Sequence, residues 1–139
     1  MPDEPIQLKI AHAERAYASV VGYIERRGLT QLLPLVEPIH RALVSADPAE
    51  IQRQREAVTP KDDELMQALF LDIELRARWG MLEEALGAIK MFSRFGADRE
   101  PVDLGEDAVA ARVKKIRQAI ARDRPWWQRL FSRSDAAGG

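Results

Sequence analysis

The stretch "TPKDDELMQALFLDIELRARWGMLEEALGAIKMFSRF", residues 59–95, admits two different bundles. Thr59 reads as an N-cap, Pro60 as a first-turn residue, and Asp62 and Asp63 as acids favoured at the positive end of a helix dipole, so a helix opens there. At about 100° per residue, Met66, Leu69, Phe70, Ile73 and Ala77 cluster around one direction. Leu82, Ala85, Leu86, Ile89 and Phe92 cluster roughly 140° away on the same wheel. The apolar stripe therefore jumps at Trp79-Gly80. Either the helix breaks there into a hairpin, or one long helix changes the neighbour it packs against; Gly80 tilts the reading toward the break.

Outward from this stretch nearly everything reads as helix. Ile6, Ile10, Ala13, Tyr17, Val20 or Val21, and Ile24 recur at three-and-four spacing, and Gly28 closes that helix. Pro34 and Pro38 suit a first turn better than an interior, so a short helix starts near one of them and runs to about Ser45. "DPAE" at 47–50 orders an N-cap acid, a first-turn proline and a capping-box glutamate. "GADREPVDLGED" at 96–107 is a loop, and a last helix runs from Glu106 to Asp123 with Val109, Val113, Ile116 and Ile120 on one face. Pro125 ends that helix or restarts it as a short turn. No run alternates long enough for a strand. The fold class expected is all-α: a small irregular bundle of five or six helices with a basic, aromatic C-terminal extension. Residues 1–123 form the helical domain, with an acidic body 1–95, and 124–139 form an amphipathic tail with a frayed terminus.

With 139 residues, one domain can bury roughly 70% of its unfolded surface. Cysteine is absent, which excludes disulfides, thiolate catalysis and every Cys-based metal site. The opening "MPDEPIQLK" is acidic and proline-broken, unlike a signal peptide, and no segment offers about 20 uninterrupted apolar residues. The expected location is cytoplasmic, with the inner membrane face as an alternative.

Net charge is −1, but it divides unevenly. Residues 1–107 carry 13 Lys/Arg against 20 Asp/Glu, and residues 108–134 carry 8 against Asp123 alone. A basic tail on an acidic body points to an anionic partner or to a tail folded onto its own body.

Catalytic and metal equipment is thin. Glu37 and His40 share a helical face at the i, i+3 spacing of di-iron bundles, but His12 in "KIAH" lacks the matching glutamate. The acid clusters at 62–64 and at Glu83 and Glu84 read as solvated faces and caps. Asp98, Glu100, Asp103, Glu106 and Asp107 do not follow calcium-loop spacing. No phosphate loop, nucleophile triad or HExxH is present. The expectation is a non-enzyme without metal or cofactor.

"WGMLEEALGAIKMF" at 79–92 is similar to the second-helix opening of tetratricopeptide repeats over one half-repeat. Ile89 stands where an aromatic is usual, and no second copy follows at a period near 34 residues. It is read as ordinary helix-hairpin sequence.

The tail "PWWQRLFSR" groups Trp126, Trp127, Leu130 and Phe131 on one side of a short helix, with Arg129 and Arg133 on the other. Such a segment fits a groove on another protein, or lies at an anionic membrane surface, or covers the end of its own bundle. The functional expectation is a protein-interaction module (adaptor, regulator or assembly component) anchored by these six residues. The alternative is a peripheral membrane protein, the lesser alternative a nucleic-acid binder, and self-association stays open.

Overall fold

A computed structural model describes residues 4–58 and 63–123. Among them the chain is all-α, with no strand: α1 Glu4–Arg26, a 3-10 turn Thr30–Leu32, α2 Leu33–Ser45, α3 Pro48–Val58, α4 Asp63–Leu71, α5 Ile73–Phe95 and α6 Glu106–Asp123. The Thr59–Asp62 cap and the tail 124–139 lie outside the described residues.

α1 and α5, each of 23 residues and so about 34 Å long, run antiparallel as the centre of the bundle. Tyr23 near the end of α1 meets Asp72 just before α5, and Lys9 near the start of α1 meets Asp98 just after it. The stripe expected in α1 is the one that packs: Ile10, Ala13, Tyr17, Val20 and Ile24 are buried, and Ile6 leans on the same core. Ala13 and Ala16, fully covered, bring the two long helices close. The 3-10 turn adds Leu32, and α2 and α3 add Val36, Ile39, Leu43 and Ile51, each wholly removed from water or nearly so. Full burial of such a side chain contributes about 1.5–3 kcal/mol, the force that holds these short helices together.

The termini follow local chemistry. Gly28 adopts φ +70°, and the amides of Gly28 and Leu29 return to the carbonyls of Glu25 and Ile24, closing α1 in a Schellman motif. Gly96, at φ +66°, closes α5. Asp47 caps α3 by accepting from the Ala49 amide at 3.0 Å. Glu50 does not complete the capping box; its carboxylate takes Arg53 and Gln54 instead, and these hydrogen bonds lower its pKa.

The break in the 59–95 stretch falls at Asp72, not at Gly80. Asp72 leaves the helix at φ −116°, ψ 105° and accepts the Leu75 amide at 3.1 Å, capping α5. From the next turn Arg76 donates back to the carbonyls of Leu69 (2.9 Å) and Phe70 (2.6 Å), satisfying the end of α4. α5 then continues through Gly80 without interruption and buries two faces. Leu75, Trp79, Leu82, Leu86 and Ile89 enter the core, while Ala77 and Met81 are buried outside that cluster, on the side where α6 crosses. The two directions of the stripe belong to two helices: Met66, Leu69 and Phe70 lie on α4, with Met66 and Phe70 exposed, and Leu82, Ala85, Leu86 and Ile89 lie buried on α5. Gly80 marks the crossing: a Cβ there would lie 3.3 Å from the Arg112 guanidinium of α6.

Candidate docking groove

The N-terminal half of α1 and the C-terminal half of α5, with Arg55 of α3, line a groove of about 1120 Å³ walled by the loop 98–102. Its apolar lining includes Leu8, Ala88, Met91, Phe95 and Val102. Leu8 is 66% exposed and Phe95 70% exposed, against a chain whose other aliphatic residues largely pack inward. None of the lining residues comes from α6.

The loop wall is pinned to α1. Lys9 donates to Asp98 at 2.5 Å and lies 5.3 Å from the centre of the Phe92 ring. His12 Nε2 lies 2.7 Å from the Val102 carbonyl, which can only accept, so Nε2 carries the proton and Nδ1 faces the Arg15 guanidinium at 3.4 Å. This histidine is a fastener between helix and loop.

Charge around the groove is partly cancelled and partly free. Glu83 pairs with Arg55 at 2.8 Å, and Glu84 with Arg112 at 2.6 Å. Lys90, Arg94 and Arg99 make no ion pair among the described residues.

Below the groove, Arg78 ties three helices. Only 3% exposed, it donates to Glu74 on its own helix, to Ser19 of α1 at 2.8 Å and to Glu106 of α6 at 2.9 Å, with its guanidinium 5.5 Å from the centre of the Tyr23 ring. Tyr23 gives its proton to both Asp72 oxygens, at 2.8 and 2.9 Å. Burial, then that hydrogen bond and the neighbouring carboxylates push the Tyr23 phenol up to about 12, against a weaker opposing pull from Arg27. Tyr17 is raised by burial and by Glu37, and His40 stacks on its ring with centroids 5.1 Å apart.

The sequence-level candidates scatter. Glu37 pairs with Arg41, and His40 lies on Tyr17, so the i, i+3 pair points at no shared ion. The loop acids go separate ways: Asp98 to Lys9, Asp103 to the Gly105 amide, Glu106 to Arg78. No group of three or more His, Asp or Glu side chains suited to a metal stands together among the described residues. Trp126, Trp127, Leu130, Phe131, Arg129 and Arg133 lie outside them. Sequence reasoning missed the groove, although a signal existed: Leu8 sits off the α1 stripe, an apolar residue out of register.

Fold and groove together define an all-helical protein with an open apolar trough along its two longest helices. Comparison with protein-family profiles, with curated proteins and with solved structures finds no match to this chain.

Proposed function

We propose that the chain is a non-catalytic protein-interaction module whose docking surface is the α1–α5 groove. The observation that carries this reading is the groove itself, with Leu8 and Phe95 standing in water at its edge. A second apolar patch supports an adaptor role in particular. On α4, Leu65 and Leu69 face the core while Phe70 and Leu71 are 76% and 78% exposed, with Met66 beside them. This patch adjoins the start of α5 and the groove begins at Glu83, so about 15 Å of helix separates them. No helix among the described residues is long and apolar enough to cross a membrane. The tail 124–139, with its paired tryptophans, keeps its expected place as a further anchor.

Photo-crosslinking residues placed at Phe95, at Phe70 and, as a control, at the exposed Ala111 test the reading in cells that make the protein. Defined protein adducts are expected from the first two sites and not from the control. Leu8→Asp should remove the Phe95 adduct while leaving the melting curve unchanged, since Leu8 contributes little to the core. Adducts from the control site alike, or none at Phe95, would defeat the docking reading. Flotation of the full chain with anionic vesicles, lost on ending the chain at Arg124, would favour the membrane alternative instead.

A further inference from the structure

We infer that the groove is shaped for an amphipathic helix bearing carboxylates, contributed by an acidic partner protein. This rests on the groove being a protein-docking surface and adds the chemistry of what docks. Three of the four acids lining the groove are already engaged: Glu83 by Arg55, Glu84 by Arg112 and Asp98 by Lys9. Glu100 is the fourth. Lys90, Arg94 and Arg99 line the same groove and hold no ion pair among the described residues, and Arg15 lies 3.4 Å from His12 Nδ1. The surplus on the rim is therefore positive, although the body as a whole is acidic. That local reversal is hard to account for by solubility alone, which an acidic surface already serves.

Spacing selects a helix. Ala88, Met91 and Phe95 stand at i, i+3 and i+7, forming one apolar row along α5; Lys90 and Arg94, four residues apart, form a parallel row on its flank. Between the rows lies Gly87, over which the Arg55 guanidinium reaches from α3, 3.8 Å from where a Cβ would stand, and bounds the seam on that side. A second helix laid along this surface meets an apolar seam with one row of cations a turn apart, complementary to its own apolar face edged by Glu or Asp at i, i+4. Leu8 and Phe95 stand open at the edge instead of lining an enclosed tunnel, which suits a helix better than a hydrocarbon chain. A basic partner would meet three cations that hold no ion pair among the described residues, so the surface also discriminates by repulsion.

The test uses the full chain and two synthetic helical peptides with the same apolar face, one flanked by Glu and the other by Lys. Binding is followed by fluorescence anisotropy and located by amide chemical shifts. The Glu peptide should bind about tenfold more tightly at low salt, with shifts at Leu8, Met91 and Phe95. Replacing Lys90, Arg94 and Arg99 by Gln should bring the two peptides to within about twofold of each other, as should high salt. Arg94 and Arg99 are exposed and Lys90 is half-buried, and none of the three holds an ion pair among the described residues, so the melting curve is expected to hold. Equal binding of both peptides within the groove would overturn the acidic partner and leave the docking groove standing. Shifts elsewhere, or no binding of either, would overturn both. Binding of anionic vesicles through the same three cations, with no peptide bound, would overturn the helix in favour of a lipid surface.

Discussion

Tyr23 does two jobs through one hydroxyl. It joins α1 to the cap of α5 by donating to Asp72, and it lies under the Arg78 guanidinium, so its ring and its proton are both in use. Because its folded pKa is raised above the ordinary value of 10.0 to about 12, the folded state holds the proton where the unfolded chain has released it. The associated stability is complete below pH 10 and is lost as pH rises through about 12. Tyr23→Phe should cost about 1 kcal/mol at neutral pH and should flatten the fall in stability between pH 10 and 12 relative to the parent chain. Denaturant titrations of both proteins across that window check the difference; parallel curves would show that the phenol is not held as described. Arg78, by contrast, is buried but leans on acids that reach solvent: Glu106 is 78% exposed. Removing those acids strands a buried cation, the costlier half of the pair to disturb.

For the helices, the instructive case is α5. Its sequence carries a glycine where α6 crosses and an aspartate where the helix begins, and glycine drew the expected break. Glycine lowers helix propensity by about 1 kcal/mol, which is too little to end a helix packed on two sides. Asp72 ends α4 because its side chain offers the α5 amides a partner that the preceding helix cannot. Gly80→Ala should stabilise the protein by about 0.5–1 kcal/mol, since the atom it meets is the movable tip of Arg112. Gly80→Leu should instead push α6 away and raise protease cleavage in the loop 96–105, with the core melt little changed. If the alanine variant loses stability, the guanidinium is held more rigidly than its partial exposure implies.

Across the whole molecule, stability is unevenly shared. α1 and α5 bury most of their inward faces, whereas among the described residues α6 fully buries only Val109, half-buries Val113 and Ile116, and makes two ion pairs, Arg78–Glu106 and Arg112–Glu84. Partly exposed pairs of this kind contribute little and are screened by salt. Hydrogen exchange should therefore open α6 first, at lower free energy than α1 and α5, and more readily in high salt. Exchange of α6 together with α1 would mean that it belongs to the cooperative core.

Much of this was legible in the order of residues. Helical periodicity, Gly28, Pro34, Asp47 and the 96–105 loop act through neighbours a few positions away, so composition and spacing suffice to place them. The inward stripe of α1 followed from the same local logic. What sequence could not decide was which neighbour each face would meet. The double burial of α5, the position of the break at Asp72, the fastening of His12 to Val102 and the gathering of Leu8, Met91, Phe95, Lys90, Arg94 and Arg99 into one groove all depend on residues brought together from distant parts of the chain. Those pairings are set by packing of whole helices, whose energy is shared over many contacts and written in no single motif.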